Sequence, residues 1–319
     1  MVYDPADGYV VLFGGFEPGI GWGNDTWRFF DGNWTQIHPS VSPPQMADAS
    51  MAWDPADGYI VLFGGDAPFV WPYLGTWTFV HGEWSNLSTL HAPPERWNPS
   101  LAWDARDGYL VLFGGRSNGV DLNDTWTFLN GDWSQLSSRS PPPAREGAAM
   151  TYDSGLGRIV MFGGVNLTLS AVMLNDTWEF SEGTWTPVST VAAPSGRSGA
   201  GLAYFPPLGI DVLYGGFNYT PTVWNDTWWF QDGQWTLAPG PLHGSPAATA
   251  TSAMVYDPTA RDIVAFGDTI PGTWAYYTIN LKLGATPSSG DAPLNVTFAA
   301  SPSDGVAPYQ LNWTLDDGS

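Results

Sequence analysis

Short apolar runs recur along the chain at a nearly constant spacing. Each run ends in an aromatic residue followed by glycine, and the six pairs are Phe13-Gly14, Phe63-Gly64, Phe113-Gly114, Phe162-Gly163, Tyr214-Gly215 and Phe266-Gly267. Successive pairs lie 50, 50, 49, 52 and 52 residues apart. Because runs such as YIVLF (59–63) are apolar at almost every position, they predict strands that are buried on both faces. A repeat of this length indicates one supersecondary unit copied along the chain.

Each repeat predicts four short strands, here called A to D. Strand A is MAWD-like and leads through a turn such as Asp54–Gly58 into the apolar strand B. Strand C is DTWTF-like, and strand D begins at a second tryptophan seven residues later. Asp-Gly and Asn-Gly pairs between C and D favour tight hairpins. The repeats start near residues 1, 51, 101, 150, 202 and 254, which predicts an all-β fold with a six-bladed β-propeller over residues 1–280. A strand or blade upstream of Met1 would complete it.

The repeated motif resembles the kelch repeat. The resemblance rests on a double glycine after an apolar strand, then an aromatic residue, then a tryptophan seven residues on, and it covers residues 1 to about 280. Kelch repeats often carry an arginine shortly before strand A, and Arg96, Arg145 and Arg197 match it. Repeat 6 departs from the pattern, because it has FGD in place of FGG and lacks the second tryptophan.

Residues 281–319 have a different character. They resemble the first part of a PKD domain, an immunoglobulin-like β-sandwich, at Pro287–Phe298, Pro308-Tyr309 and Trp313. This segment is too short for a complete sandwich of about seven strands, so we expect a truncated domain. PKD modules are typically extracellular spacers and adhesion modules. The resemblance therefore implies a prokaryotic, plausibly archaeal, cell-surface protein.

The composition excludes several classes of function. The net charge is −21 with only 10 Lys and Arg, which disfavours binding to nucleic acid and to anionic membranes. The chain has no cysteine, so a cofactor of the galactose oxidase type, which needs a cysteine cross-linked to tyrosine, is excluded. No apolar run reaches the roughly 18 residues that span a bilayer, so no direct membrane insertion by this segment is expected. We expect no catalysis, no cofactor and no metal site.

The candidate ligand-binding residues lie in the longer B–C and D–A loops, which share one face of a propeller. They are Trp22, Phe69, Trp71, Arg96, Trp97, Arg116, Arg145, Arg197 and Tyr219. Arginines and aromatics together suggest a mouth for an acidic peptide or an anionic sugar. Alternatively, the three arginines that match the kelch position brace neighbouring blades, and the aromatics pack the loops. Acidic loop residues could form a carboxylate pair: Glu17, Asp66, Glu95, Asp121 and Glu146.

Ten Asn-x-Ser/Thr sites are candidates for N-glycosylation in a secreted protein. Four belong to the recurring tetrapeptide NDTW, which we interpret first as a turn entering strand C: Asn24, Asn123, Asn175 and Asn225. The other six depart from the repeat and are the stronger candidates: Asn33, Asn86, Asn166, Asn218, Asn295 and Asn312.

Three functional hypotheses follow. The first is an extracellular or cell-surface scaffold or adhesion protein, whose kelch propeller contacts other surface proteins or glycans, or self-assembles, without catalysis. The second is a secreted carbohydrate-binding or carbohydrate-cleaving propeller, which requires mouth aromatics and carboxylates within about 5–10 Å of one another. The third is a cytosolic kelch adaptor.

Overall fold

A computed structural model describes residues 1–17, 19–67, 75–168, 171–218, 222–238, 248–250, 252–267, 274–276, 281–286 and 297–302. The chain divides into two compact units, Met1–Ala275 and Tyr276–Ser319. No helix in the described ranges is long and apolar enough to cross a membrane.

The first unit contains five antiparallel sheets of four strands, here called blades 1 to 5. Blade 1 consists of β1 (Val2–Asp4), β2 (Tyr9–Glu17), β3 (Gly21–Phe30) and β4 (Asn33–Ile37). Blade 2 consists of β5 (Ala47–Asp54), β6 (Tyr59–Asp66), β7 (Thr76–Val80) and β8 (Glu83–Leu87). Blade 3 consists of β9 (Ser100–Asp104), β10 (Tyr109–Phe113), a small B–C hairpin of β11 (Arg116–Ser117) and β12 (Val120–Asp121), then β13 (Thr125–Leu129) and β14 (Asp132–Leu136).

Blades 4 and 5 repeat this arrangement. Blade 4 consists of β15 (Ala149–Asp153), β16 (Arg158–Phe162), a B–C hairpin of β17 (Val165–Asn166) and β18 (Val172–Met173), then β19 (Thr177–Ser181) and β20 (Thr184–Val188). Blade 5 consists of β21 (Gly201–Phe205), β22 (Ile210–Tyr214), β23 (Thr227–Gln231) and β24 (Gln234–Leu237). The A-to-D order of every repeat is therefore confirmed in these blades, and the two B–C hairpins are additional strands.

The sixth repeat forms a three-stranded sheet of β25 (Ser252–Asp257), β26 (Asp262–Gly267) and β27 (Trp274–Tyr276). The expectation of a six-bladed propeller is thus corrected to five four-stranded blades and one three-stranded sheet. Repeat 6 lacks the second tryptophan, which is the residue that anchors strand D elsewhere. The sheet lies beside blade 1, because the rings of Phe266 and Trp34 are 5.8 Å apart and Tyr3 Oη is 2.9 Å from Thr259 Oγ1.

The second tryptophan of each blade joins it to the preceding blade. Trp133 packs against Phe63 of blade 2 with ring centroids 4.9 Å apart, and its Nε1 donates a hydrogen bond of 2.9 Å to Thr76 Oγ1 of the same blade. The same two contacts recur for three further pairs of Trp and Phe: Trp84 with Phe13, Trp185 with Phe113, and Trp235 with Phe162. Each tryptophan therefore supplies both buried aromatic area and a satisfied polar bond between blades.

The strand order places the short turns and the long loops at opposite ends of the propeller. The A–B turns and C–D hairpins form one end, here called the turn face, and the B–C and D–A loops form the other, here called the loop face. On the turn face, Asp54 closes the A–B turn, because its carbonyl oxygen accepts a 2.8 Å hydrogen bond from Gly58 N and its Oδ1 accepts one of 2.9 Å from Ala56 N.

The second unit contains one described hairpin. Strands β28 (Leu281–Thr286) and β29 (Thr297–Pro302) pair antiparallel, from Leu281 opposite Pro302 to Thr286 opposite Thr297. The remaining positions that carry the PKD resemblance, including Pro308-Tyr309 and Trp313, lie outside the described residues. The immunoglobulin-like sandwich stays a prediction.

Candidate functional site

Three buried arginines on the loop face each hold the blade that follows them. Arg145 donates two parallel hydrogen bonds to the carboxylate of Asp176, of 2.7 and 2.8 Å, and one of 2.9 Å to the carbonyl oxygen of Gly163. Arg96 makes the same bonds to Asp124 and Gly114, and Arg197 makes them to Asp226 and Gly215. All three arginine side chains have 0% exposure.

The backbone of the same arginines holds the preceding blade. The carbonyl oxygen of Arg145 accepts a hydrogen bond of 2.9 Å from Gly115 N of blade 3. A Cβ atom on the neighbouring Gly114, whose φ is +65°, would lie 2.5 Å from that carbonyl oxygen, so the double glycine permits this close approach. Arg96, Arg145 and Arg197 are therefore clamps between blades. Their proposed role in binding an anionic ligand is not supported, since their guanidinium groups do not reach the surface.

The aspartate of NDTW is the partner that these arginines require. Asp and Arg occur together in repeats 3, 4 and 5, whereas repeat 2 replaces them with Gly75 and Met46. The threonine of the tetrapeptide accepts the hydrogen bond from the second tryptophan of the next blade. The tryptophan of the tetrapeptide itself donates to the aspartate, as Trp126 Nε1 does to Asp124 Oδ2 at 2.7 Å. NDTW is thus an architectural element.

Two loop-face positions differ from repeat to repeat although their backbone is the same. One follows the arginine position, the other follows the double glycine, and they face each other as antiparallel pairs: Ala47 with Asp66, Trp97 with Arg116, Glu146 with Val165, and Ser198 with Phe217. A constant backbone with varying side chains is typical of a scaffold that carries its function on loops. We call the group formed by Trp22, Asp48, Asp66, Trp97, Arg116, Asp121 and Glu146 the mouth.

A ring of backbone hydrogen bonds supports the mouth. Asn98 N donates to Asp48 O at 2.8 Å, Gly147 N to Asn98 O at 3.0 Å, Gly199 N to Gly147 O at 3.0 Å, and Ser252 N to Gly199 O at 2.9 Å. Asp48 and Asn98 have φ values of 57° and 48°, which lie in the left-handed region that Asn and Asp tolerate best among non-glycine residues. The ring links successive blades, so the residues beside it are rigidly held.

Glu146 is the most perturbed acid of the mouth. The residue is 5% exposed, and its Oε2 accepts no hydrogen bond from the described residues. Burial, followed by the nearby charge of Asp121, raises the pKa of Glu146 to about 7; Asp48 raises it further, while Arg116 and Trp97 lower it. Although the side chain of Asp48 reaches solvent, desolvation by surrounding protein and the charge of Asp66 raise its pKa to about 6.

Arg116 is already paired within the mouth. Its Nη1 lies 2.7 Å from Oδ1 of Asp121, whose side chain has 0% exposure. The other oxygen of Asp121 accepts hydrogen bonds from Thr168 N and Thr168 Oγ1 at 2.7 and 2.9 Å, so the B–C loops of blades 3 and 4 are joined. With Arg116 neutralised, Asp48, Asp66 and Glu146 leave the mouth acidic. This arrangement favours a cationic group over the anionic ligand that the arginine count suggested.

The aromatic residues of the mouth have different surroundings. Trp22 is half-buried, donates from Nε1 to Asp66 Oδ1 at 2.7 Å, and packs edge-on against Phe16 with ring centroids 5.1 Å apart. Trp97 is 9% exposed, so most of its surface is packed. Phe69, Trp71 and Tyr219 lie outside the described residues.

These contacts explain why each residue of the repeated motif occurs where it does. Residues 73–267, more than half of the chain, match the family model described as the KLHDC2/KLHL20/DRC7 Kelch-repeats domain. The chain belongs to the kelch-repeat family. No curated protein matches it in sequence. The kelch resemblance is thus confirmed, and the domain is of a kind that generally mediates protein–protein interaction.

The accessibility of the glycosylation candidates in this kelch propeller does not follow the expected ranking. All four NDTW asparagines are exposed, as are Asn33 and Asn86, whereas Asn218 is half-buried. Asn166 is 5% exposed and its Nδ2 donates to Ala144 O at 2.8 Å, so no glycan is expected there on the folded chain. Asn295 and Asn312 lie outside the described residues.

The described part of the kelch propeller has no cluster of metal ligands and carries a cleft on its turn face. Among the described residues, no group of three or more His, Asp or Glu side chains could hold a metal ion. On the turn face, a cleft of about 550 Å³ between blades 1 and 2 is lined by Asp7, Tyr9, Arg28 and His81, where His81 Nδ1 lies 2.8 Å from Asp7 Oδ1. These side chains bond to one another along its wall.

Sequence reasoning placed Glu146, Asp66 and Asp121 on the loop face but missed Asp48. The signal that identifies the mouth was present: within a repeat that otherwise copies itself, Ala47, Trp97 and Glu146 occupy one position. Aligning the repeats at that position, rather than scanning for basic residues, would have found it.

Proposed function

We propose that this kelch propeller is a non-catalytic scaffold that binds a segment of another protein at its mouth. The observation that carries the proposal is the contrast between the repeated clamps, which are built alike in blade after blade, and the mouth positions, which differ in every repeat. Architecture requires the first set of residues, whereas packing alone gives no reason for the second set to vary.

The hairpin beside the mouth supports a protein partner. Strands β2 and β3 extend beyond the double glycine and expose Phe16 (55%) and Ile20 (78%) near Trp22. Exposed apolar side chains at the rim of a polar site are typical of protein-binding surfaces, and tryptophan is enriched among the residues that contribute most to affinity. We therefore expect the bound segment to contribute an apolar side chain to this hairpin.

Photocross-linking tests the proposal. A photoreactive benzoylphenylalanine at position 20, on the hairpin, should capture a discrete partner in extracts of the native cell envelope. The same group at position 30 is the control, because Phe30 is equally exposed (54%) but lies on the turn face. A product from position 30 only, or none from position 20, would refute binding at the mouth, while a product of twice the chain's mass would identify self-assembly.

We further propose that the protein acts at the cell surface. The exposed sequons at Asn33 and Asn86 and the PKD resemblance support this location. Glycopeptide mass spectrometry of the protein from its native source is expected to find sugar on exposed asparagines and none on Asn166. Complete absence of glycans, together with resistance to proteases added to intact cells, would instead favour the cytosolic adaptor.

A carbohydrate-cleaving function has one specific observation in its favour. Glu146, with a pKa raised to about 7 by burial, lies near the charge of Asp121, and a protonated acid beside an ionised carboxylate is the pattern of glycosidases. Asp121, however, is bonded through both oxygens to Arg116 and Thr168 and has no exposed surface. Hydrolysis of aryl glycosides by the parent chain and its loss in Glu146→Gln would establish this alternative.

A further inference from the structure

A buried carboxylate oxygen in the mouth has no hydrogen-bond partner among the described residues. Glu146 is 5% exposed, yet its Oε2 accepts no hydrogen bond from any described residue. Buried polar atoms are normally hydrogen-bonded, and an exception in a folded protein calls for an explanation such as a bound group. The backbone of Glu146 is fixed by two hydrogen bonds. Its N donates to Val165 O at 3.0 Å, and its O accepts from Val165 N at 2.9 Å.

The groups around Glu146 define the charge that would suit it. Asp121 and Arg116 approach it from the B–C hairpin of blade 3, Asp48 from blade 2, and Trp97 from the loop that enters blade 3. The one cation in this set, Arg116, is held 2.7 Å from Asp121, so its charge compensates Glu146 only in part. Asp48 in turn lies near Asp66, which adds a further negative charge toward the hairpin of blade 1.

We infer that the mouth recognises a cationic side chain, the ammonium of lysine or the guanidinium of arginine, and that the negative charges of Glu146, Asp48 and Asp66 attract it. The inference rests on the proposed function, since the cation belongs to the bound protein segment. Asp48 is exposed and lies within electrostatic range of both Glu146 and Asp66, so its charge can act on a cation at the surface. A nearby cation favours the ionised form of a buried carboxylate.

The opposite reading, an anionic ligand bound by Arg116, fits the same surroundings less well. An anion would have to displace the Asp121 carboxylate from Arg116 and would meet Glu146, Asp48 and Asp66 at close range. Like charges brought together at an interface oppose binding. The mouth therefore selects against acidic segments and for basic ones.

Peptide selection on the whole chain tests the inference. A display library of random short peptides is selected against the immobilised parent, and enriched peptides are measured by calorimetry against four forms of the chain. These are the parent, Glu146→Gln, Trp22→Ala and Asp232→Asn. Asp232 is the matched control, because it is an exposed aspartate in the C–D turn of blade 5 and its replacement changes net charge equally on the turn face.

We expect Lys and Arg to be enriched in the selected peptides, and Glu146→Gln to weaken their binding about tenfold or more while Asp232→Asn does not. Replacing the lysine of the peptide with norleucine should cause a similar loss of affinity for the parent chain. It should cause little further loss of affinity for Glu146→Gln.

Each other outcome contradicts a specific statement. Two outcomes would overturn the cation inference and leave the proposed function standing. In the first, Trp22→Ala weakens the binding of peptides that carry no Lys or Arg. In the second, the peptides bind Glu146→Gln as tightly as they bind the parent chain. If no peptide is enriched, or if neither Trp22→Ala nor Glu146→Gln weakens binding, the proposed function is overturned and the cation inference with it. Thermal unfolding of each variant ensures that only folded chains are compared.

Discussion

Arg96 and Asp124 form a bidentate ion pair, with hydrogen bonds of 2.6 and 2.8 Å, at the joint between blades 2 and 3. Burial would raise the pKa of Asp124, but the hydrogen bonds and charge of Arg96, with the Trp126 bond, outweigh it and hold that pKa below its usual range. The pair recurs in repeats 4 and 5 and is replaced as a pair in repeat 2. The loop-face arginines are therefore part of the propeller's architecture.

Replacing one partner of this ion pair should lower the free energy of unfolding strongly. Replacing both should lower it by less than the sum of the two single losses. Repeat 2 supplies the natural replacement, Met46 with Gly75. We expect Arg96→Met or Asp124→Gly alone to lower the free energy of unfolding by about 3 kcal/mol, because each leaves a buried polar group unpaired. The double variant should recover about 1 kcal/mol or more of the summed loss. Strictly additive losses in urea unfolding would show that the two side chains are not coupled.

The tryptophan–threonine bond between blades gives a second prediction. Thr125 is 2% exposed and accepts the 3.0 Å bond from Trp185 Nε1. Thr125→Val keeps the shape but leaves the indole N–H unsatisfied, so the free energy of unfolding should fall by about 1–3 kcal/mol. Thr127→Val is the control in the same strand, because Thr127 is less buried and makes only a weak 3.3 Å bond to Ser134 O; its effect should stay within about 0.5 kcal/mol. Equal losses in the two variants would contradict an interblade role for the bond.

A buried aspartate in strand β22 should reduce stability as the pH rises. Asp211 is 0% exposed, its carboxylate has no hydrogen bond from the described residues, and Ile60 and Ile159 occupy the same position in other repeats. Burial, followed by the charges of Asp153 and Glu179, raises its pKa well above the usual value. The folded chain therefore binds a proton that the unfolded chain releases above its own pKa of about 4, so folding free energy is lost from there upward.

Replacing that aspartate with an apolar residue removes this pH-dependent loss. We expect Asp211→Val to raise the free energy of unfolding by about 1–3 kcal/mol near neutral pH. The difference from the parent should shrink as the pH falls toward and below about 4, because Asp211 then becomes protonated in the unfolded chain as well. Urea unfolding across this range measures it. A gain that is constant with pH, or a loss of stability in Asp211→Val, would show that the carboxyl is not held neutral in the fold.

The repeat and the strands could be predicted from the sequence because each is encoded locally. The apolar run ending in Phe113-Gly114 predicts strand B directly, and Trp126 with Trp133 predicts strands C and D. The role of Arg96 could not be decided from the sequence, because the same residue serves as clamp or ligand according to whether its guanidinium reaches solvent. Its burial depends on a close backbone approach at Gly64 and on the hydrogen bond to the carbonyl oxygen of Gly114, which only the three-dimensional packing shows.

Scanning the sequence for charged residues missed the mouth for a related reason. Glu146 and Asp48 are nearly one hundred residues apart and become neighbours only when blades 2 and 4 meet around the axis. Counting charges along the loops suggested an anionic ligand, whereas Arg116 is paired with Asp121 and the repeat arginines are buried. The count of six blades is corrected at repeat 6, where the second tryptophan is missing and the sheet has three described strands.

The affinity of a lysine-containing peptide for the mouth should depend on pH. Since burial and neighbouring acids raise the pKa of Glu146 to about 7, its charged form predominates only above neutrality. Binding should therefore strengthen severalfold between about pH 6 and about pH 8, in parallel with deprotonation of Glu146. Calorimetry with the norleucine analogue, and with Glu146→Gln, should show a flatter profile. A profile that is unchanged in Glu146→Gln would assign the titration to Asp48 or another group.

The most direct test of binding at the mouth compares one aromatic residue on each face of the propeller. The affinity for the captured partner is measured by calorimetry for the parent, for Trp22→Ala and for Phe30→Ala. A half-buried tryptophan beside an exposed apolar hairpin should contribute strongly, so Trp22→Ala is expected to weaken binding about tenfold or more. Phe30→Ala, on the turn face, should leave the affinity unchanged. Full affinity in Trp22→Ala together with a loss in Phe30→Ala would contradict the account and move the binding surface to the opposite face.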